Sequence, residues 1–226
     1  MGKLLFRTYF LKSIRIIAGL LLIAFGVFIS KQCFCLAPWN VLSDGVSSLL
    51  GISIGTASII ISVMIITIDV VSREKLGFGS LLNVFLLGLF TDMFLEINRH
   101  LMILPRIENV PLQILFCIVS LFFNGLGIFL YMSARMGAGP RDTLMVHLSR
   151  KLHVPSGYCR LGLEFIAGLS GWLLGGEVGV GTVVSVFLGG PILQLVFQAF
   201  KYDPSAVESE SFGDTLHNIS KKIYFI

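Results

Sequence analysis

Long apolar stretches alternate with short polar segments along the chain, and Ile16–Ile29 and Phe78–Phe90 contain no charged residue. Apolar runs of about 18 or more residues indicate membrane-spanning helices, because a helix needs about 20 residues to cross about 30 Å of hydrocarbon. The pattern predicts an all-α membrane protein with six transmembrane helices, placed at Ile14–Phe34, Ile52–Val71, Phe78–Ile97, Pro111–Met132, Pro155–Leu174 and Val180–Phe200.

Two segments between these spans are too short and too polar to cross a membrane alone. They are Ala37–Leu50, after the first span, and Gly139–Leu152, after the fourth. Each is expected to form an extra short helix (37–50 and 139–152) that is either re-entrant or interfacial. The sequence leaves these two placements open.

Composition supports membrane embedding and excludes two other classes of protein. Of the 226 residues, 55% are hydrophobic and only 13% are charged, whereas soluble domains usually carry about 25% charged residues. A disordered chain would be polar and poor in aromatic residues, but this one has 19 phenylalanines. The sequence lacks a basic patch with interleaved aromatic residues, the pattern that would indicate nucleic acid as a partner.

The distribution of basic residues predicts the orientation of the chain in the cell membrane. If the N-terminus is cytoplasmic, 13 of the 17 lysines and arginines fall on the cytoplasmic side, as the positive-inside rule requires. Six spans then place both termini in the cytoplasm. Residues 1–13 form a basic cytoplasmic N-terminus, and residues 201–226 form a polar cytoplasmic tail.

The chain also contains an internal repeat, since Pro38–Ile97 aligns without a gap with Pro140–Ala199 at an offset of 102 residues. The matched positions include Pro38 with Pro140, Gly77 with Gly179, Gly79 with Gly181, and Val84–Leu86 with Val186–Leu188. The first spans match after a one-residue shift, which places Gly26 over Gly127. Repeat 1 therefore covers residues 14–97, a loop covers 98–110, and repeat 2 covers 111–200. Because each repeat crosses the membrane an odd number of times, three, the second repeat enters from the opposite side and the two repeats are inverted. This architecture recurs in transporters.

Two of the aligned segments carry a family resemblance. Ala37–Ser47 (APWNVLSDGVS) and Gly137–Ser149 (GAGPRDTLMVHLS) are similar to the paired G-P-x-D-x-L elements of the YczE/YitT-like bacterial membrane proteins, and Gly51–Ser58 and the two GxG pairs are similar too. The first element departs from the pattern, with Asn40 where aspartate is expected. The resemblance covers nearly the whole chain to about Phe200, and it implies membrane location and fold but no substrate.

The starts of the two short helices are the candidate substrate-binding segments. A proline in the first helical turn removes an N–H that would have no partner there, and the remaining N–H groups attract anionic groups. One alternative is that these residues only begin and cap the helices. The candidate residues are Pro38, Trp39 and Asn40 in the first repeat and Pro140, Arg141 and Asp142 in the second.

A second candidate is the pair Arg160 and Glu164 within the fifth predicted span. The two residues are four positions apart, so they share one face of the helix and can pair. Charges at such depth are costly and usually face the interior of the bundle. The pair is interpreted either as a gate or coupling pair or as a purely structural ion pair.

No other pattern indicates catalysis, a metal or a cofactor. The four cysteines lack ligand spacing and are expected to pack as small apolar residues, and Gly-rich nucleotide loops and HExxH are missing from the sequence. We therefore expect a protein that is not an enzyme and that has no catalytic residue, no metal and no cofactor.

Two functional hypotheses follow. The first is a small secondary transporter or permease of a small-molecule or ion substrate, with its site at the repeat interface. The alternative is a non-transporting membrane partner or regulator of a biosynthetic or export system. A membrane enzyme that acts on lipid has the least support, because paired acid and base residues at one depth are missing. The expected partners are the lipid bilayer, the solute and a second copy in a homodimer.

Overall fold

The computed structural model describes residues 2–72, 77–137, 139–153 and 156–202, and every regular element in those ranges is an α-helix. The eight helices are α1 (Gly2–Gln32), α2 (Pro38–Leu50), α3 (Ile54–Val71), α4 (Phe78–Leu101), α5 (Val110–Ser133), α6 (Pro140–Leu152), α7 (Ser156–Leu173) and α8 (Val180–Ala199). The predicted all-α class is confirmed. Helices α2 and α6 lie where the sequence predicts short helices.

Five helices of the described residues are long and apolar enough to cross a membrane, namely Arg7–Gln32, Ile54–Val71, Phe78–Leu101, Val110–Ser133 and Val180–Ala199. They correspond to five of the six predicted spans. The sixth, Pro155–Leu174, corresponds to α7, which has 18 residues and contains Arg160 and Glu164. These two charges lower the hydropathy of α7, so a sixth span stays a prediction.

Helix α1 begins earlier than the sequence suggests. It runs as one helix of 31 residues from Gly2, so the basic residues Arg7 and Lys12 lie on its first turns instead of on a separate segment. A helix of this length extends about 46 Å, which exceeds the thickness of the hydrocarbon layer. At the other end of the chain, residues 203–226 of the predicted tail lie outside the described residues.

Helices α1 and α5 cross at the centre of the bundle in close contact. A Cβ atom on Gly19 would lie 2.6 Å from the carbonyl oxygen of Gly127, and one on Gly127 would lie 2.5 Å from the carbonyl oxygen of Gly19. Further along α1, a Cβ atom on Gly26 would lie 2.9 Å from the carbonyl oxygen of Ser120. Increasing numbers on α1 therefore meet decreasing numbers on α5, and the two helices are antiparallel.

The other helices pack around this centre and interlock the two halves. Helix α4 packs on α1, and α8 packs on α5. Helix α2 contacts α3 of its own half and α7 of the other half, while α6 contacts α7 of its own half and α3 of the other. Helix α3 also packs on α4. Each short helix thus bridges its own half and the opposite one.

The two short helices begin and end in the same way. Pro38 and Pro140 occupy the first turn, and the residue before each proline is extended, with φ −64° and ψ near 153°. At the other end, Gly51 and His153 adopt the left-handed conformation, with φ 65° and 56°. Left-handed residues commonly terminate helices, and both helices accordingly have the same length of 13 residues.

Asp92 on α4 caps the start of α3. Its carboxylate accepts the backbone N–H of Gly55 at 2.7 Å and the hydroxyl of Ser53. Ser53 in turn accepts the N–H of Thr56 at 3.1 Å. We expect Asp92→Ala to lower the free energy of unfolding by about 1–2 kcal/mol, because two donors at a helix start lose their acceptor.

The measurement is the thermal unfolding midpoint of the detergent-purified protein. Glu96→Ala, one turn further along α4, is the matched control, since Glu96 forms its ion pairs with Arg99 and His100 at the exposed surface. Equal midpoints for the two variants would show that Asp92 does not stabilise the start of α3.

Candidate functional site

A cavity of about 660 Å³ lies between the two halves, and all eight helices contribute residues to its wall. This volume is typical of small-molecule sites, which usually measure about 300–1,000 Å³. Much of the lining is apolar, with polar groups placed between apolar ones. The polar lining residues are Asn40, Asn83 and Asn124, the hydroxyl residues Ser30, Ser62, Ser120, Tyr131 and Ser185, the indole of Trp39, and the charged residues Arg141 and Glu164.

The starts of α2 and α6 meet across this cavity. The guanidinium carbon of Arg141 lies 5.0 Å from the centre of the Trp39 ring, within the range of a cation–π contact. Trp39 and Arg141 occupy equivalent positions in the 102-residue alignment. A contact between equivalent residues places the two helix starts at the boundary between the halves.

The structure brings most of the predicted site residues together. Pro38, Trp39, Asn40, Pro140 and Arg141 all line the cavity. The side chain of Asp142 lies outside the described residues, although its backbone belongs to α6.

The predicted gate or coupling pair is described only in part. Glu164 lies near the middle of α7 and lines the cavity. The side chain of Arg160 lies outside the described residues, so its pairing with Glu164 stays a prediction.

Several polar residues of the cavity were not singled out from the sequence as site residues. Three of them lie in apolar helices and belong to no sequence motif: Asn83 on α4, Asn124 on α5 and Ser62 on α3. The repeat contains a signal that could have found two of them, Asn83 and Ser62. Asn83 aligns with Ser185 and Ser62 aligns with Glu164, and both members of each pair line the cavity.

A network of four charged residues lies at one end of the bundle. Lys31, in the last turn of α1, contacts Asp44 of α2 at 2.6 Å and Glu177 of the α7–α8 loop at 2.8 Å. Arg106 of the α4–α5 loop contacts Glu177 at 3.0 Å, and the Glu177 N–H donates to Asp44 at 2.8 Å. Only 3% of Asp44 is exposed. The network joins both halves at the end where α1 terminates, which we call the Lys31 end.

Glycine pairs make close contacts between the halves at both ends. A Cβ atom on Gly179 would lie 2.6 Å from the carbonyl oxygen of Phe34, close to the Lys31 end. In the other half, a Cβ atom on Gly77 would lie 2.2 Å from the carbonyl oxygen of Met136, which also accepts the Gly79 N–H at 2.7 Å. The GxG pairs of the sequence thus seat the starts of α4 and α8 against the opposite half.

The expectation that all cysteines pack as isolated apolar residues is wrong for two of them. Cys35, in the α1–α2 loop, forms a disulfide with Cys117 of α5, with Cα atoms 5.6 Å apart. Cys33 and Cys159 are free and buried. Sequence spacing could not reveal the bonded pair, because 82 residues separate its members. Within the described residues, no group of three or more His, Cys, Asp or Glu could hold a metal.

Comparison with known proteins gives relatives but no function. An uncharacterized protein of Haemophilus influenzae is 34% identical over 157 residues, covering 70% of this chain and 69% of that protein. The uncharacterized membrane protein YczE of Bacillus subtilis is 33% identical over 180 residues, covering 78% and 81%. YyaS of the same organism, also uncharacterized, is 26% identical over 183 residues, covering 78% and 88%. No solved structure gave a significant match.

A family model described as a family of unknown function (DUF6198) matches residues 10–198. The match and the similarity to YczE confirm the resemblance drawn from the two proline segments. Together with the apolar helices, they make the chain a multi-pass membrane protein. The chain belongs to the DUF6198 family, whose function is unknown.

Proposed function

We propose that the two halves form an inverted repeat of three spans and one re-entrant helix each. Helices α1 and α5 are equivalent in the repeat and are antiparallel, which supports opposite orientations of the halves. Under the one-residue shift, the contact of Gly19 with Gly127 becomes the contact of Ser120 with Gly26, and both contacts are present. A two-fold axis between α1 and α5 is expected to relate these two contacts to each other.

The pairing of the other helices supports the same symmetry. Exchanging the halves turns the contact of α2 with α7 into that of α6 with α3, and the contact of α1 with α4 into that of α5 with α8; all four are present. The left-handed residues Phe34 and Arg135, with φ 52° and 57°, are also equivalent under the one-residue shift. The halves therefore share backbone details as well as sequence.

Two observations support a sixth span and a re-entrant α2. Large apolar side chains of α7 face outward, among them Phe165 and Leu173, which are 70% and 72% exposed, as expected of a lipid-facing helix. In α2, Asp44 contacts Lys31 at the end of α1 and follows Pro38 by six residues, or about 9 Å of helix. Pro38 then lies deeper in the bundle than the end of α1.

The function that this arrangement supports best is a small secondary transporter or permease. The observation that carries the proposal is the cavity between the halves, where the equivalent residues Trp39 and Arg141 meet. Solute sites near the middle of the bilayer, at the interface of inverted repeats, are typical of transporters. The two halves rock about the α1–α5 crossing, and the cavity opens to each side in turn. The charge network of the Lys31 end holds that side closed.

Reconstitution in liposomes tests the proposal. Uptake of radiolabelled amino acids, organic anions and amines is compared between vesicles with the protein and protein-free vesicles. We expect at least one solute to enter in a protein-dependent, saturable manner. Arg141→Gln should reduce its uptake about tenfold or more, because losing a hydrogen bond to a charged group costs about 1.5–3 kcal/mol.

Arg99→Gln is the matched control, since Arg99 is exposed on α4 and pairs with Glu96 at 2.9 Å. Its uptake should equal that of the unmodified protein. If no solute moves, or if Arg141→Gln transports at the control rate, the transport site is wrongly assigned. A stoichiometric protein partner that co-purifies with an inactive chain would instead favour the membrane-partner alternative.

A further inference from the structure

We infer that the disulfide between Cys35 and Cys117 is a redox lock, which keeps the Lys31 end of the bundle closed until a dithiol reduces it. The inference rests on the proposed transport function, because only a protein that opens this end needs a lock on it. Three features carry it: the bond joins the two halves, the equivalent positions at the opposite end are apolar residues, and one of the two cysteines lines the cavity.

The disulfide joins the halves where the α1–α2 loop meets α5. Cys35 lies in that loop, just after Lys31, and Cys117 lies on α5. The start of α8 holds the loop at the same place, since a Cβ atom on Gly181 would lie 2.6 Å from the Cβ atom of Cys35. The loop therefore cannot leave α5 and α8 unless the covalent bond breaks.

The opposite end of the bundle has apolar residues at the equivalent positions. Under the one-residue shift, Cys35 aligns with Met136 and Cys117 aligns with Ile16. Met136 and Ile16 are buried in one apolar cluster, so the same two positions come together there through packing alone. Two halves with matching contacts would open equally easily at either end. The disulfide breaks this balance and favours the state in which the Lys31 end is closed.

The surroundings of the bond suit both its formation and its reduction. The orientation predicted from the basic residues places the Lys31 end outside the cytoplasm, where disulfides form and persist. Both sulfur atoms belong to buried residues, but Cys35 lines the cavity. A small dithiol that enters the cavity therefore reaches a bond that is shielded from the outer surface.

The reduction is an ordinary thiol–disulfide exchange. One thiolate of the dithiol attacks a sulfur of the disulfide, which forms a mixed disulfide and releases one cysteine. The second thiol of the reductant then displaces the other cysteine. Two electrons and two protons pass to Cys35 and Cys117, which become thiols, and the dithiol leaves as a disulfide.

Hydrogen–deuterium exchange of the detergent-purified protein tests the lock without any need for transport. At the Lys31 end, the N–H of Ile107 donates to the carbonyl oxygen of Gln32 at 2.9 Å, and Ile107 packs in one cluster with both bonded cysteines. At the opposite end, the N–H of Gly79 donates to Met136 at 2.7 Å. Dithiothreitol should accelerate exchange at Ile107 about tenfold or more, because removing a cross-link typically shifts an equilibrium by more than that. Exchange at Gly79 should stay the same, and re-oxidation should restore slow exchange at Ile107.

Two variants and a thiol count show that the bond itself is responsible. The double variant Cys35→Ala/Cys117→Ala should exchange fast at Ile107 without reductant and should not respond to dithiothreitol. Cys33→Ala keeps the disulfide and is the matched control, which should respond as the unmodified protein does. Alkylation after denaturation should find two thiols before reduction and four after it. If the double variant does not fold, the reversible response of the unmodified protein still decides.

Four results would overturn the inference: four thiols before reduction, a bond that dithiothreitol leaves intact in the folded protein, no acceleration at Ile107 after reduction, or equal acceleration at Ile107 and Gly79. The second would identify a permanent structural bond, and the fourth a general loss of stability. Acceleration at Ile107 alone, with no flux of any solute, would contradict the transport proposal and support the lock. Flux that is the same before and after reduction would support transport and overturn the lock.

Discussion

Replacing Gly127 by leucine is expected to prevent the protein from folding. A Cβ atom at this position would lie 2.5 Å from the carbonyl oxygen of Gly19 and 2.6 Å from the Ile23 side chain. Neither helix can yield locally, because α1 and α5 form the central crossing on which α4 and α8 pack. Overpacking typically costs about 1–3 kcal/mol, and here the obstructing atom belongs to the backbone of a helix, so we expect about 3 kcal/mol or more.

Size-exclusion chromatography of the detergent-solubilised protein measures the effect. The Gly127→Leu variant should lose the monodisperse peak. Gly162→Leu is the matched control, because a Cβ atom on Gly162 of α7 would meet nothing within 4 Å and leucine favours the helix over glycine. If Gly127→Leu purifies with the same profile and thermal midpoint as Gly162→Leu, the close α1–α5 crossing is not present.

Replacing Asp44 by alanine is expected to lower the free energy of unfolding by about 3–5 kcal/mol, which is typical of removing one partner of a buried ion pair. The Asp44 carboxylate forms an ion pair with Lys31 at 2.6 Å and accepts a hydrogen bond from the N–H of Glu177 at 2.8 Å. Lys31 is itself only 15% exposed, so its charge loses a partner in a poorly solvated place. The variant should also open the Lys31 end of the bundle.

Thermal unfolding of purified protein measures the loss. Glu96→Ala is the matched control, since Glu96 forms ion pairs at the surface with Arg99 and His100, and exposed pairs contribute about 0–1 kcal/mol. A double-mutant cycle of Asp44→Ala with Lys31→Met then isolates the interaction of the two residues. Additive losses would show that Lys31 and Asp44 do not interact in solution.

The outline of the fold could be read from the sequence because the bilayer imposes simple rules. An apolar run long enough to cross it forms a helix, since every backbone polar group needs a partner within the segment. Pro38 and Pro140 fixed the starts of the two short helices for an equally local reason. The beginning of α1 was placed too late, because basic residues such as Arg7 interrupt apolarity without interrupting the helix.

The site was predictable only where the repeat marked it. Alignment of Pro38 with Pro140 drew attention to both helix starts, and five of the six residues selected there line the cavity. The repeat alignment does not single out the residues of the charge network. Glu177 lies 133 residues from Asp44 along the chain, and the repeat places Val146 opposite Asp44. Tertiary packing alone brings them together, as it does Cys35 and Cys117.

The inverted arrangement of the halves is the central claim, and thiol labelling tests it most directly. Leu50 and Leu152 end α2 and α6, are equivalent in the repeat, and are 58% and 59% exposed. The four native cysteines are buried, so they contribute little background. We predict that a membrane-impermeant maleimide labels Leu50→Cys in intact cells and Leu152→Cys only after permeabilisation. Labelling of both positions from the same side would contradict the account.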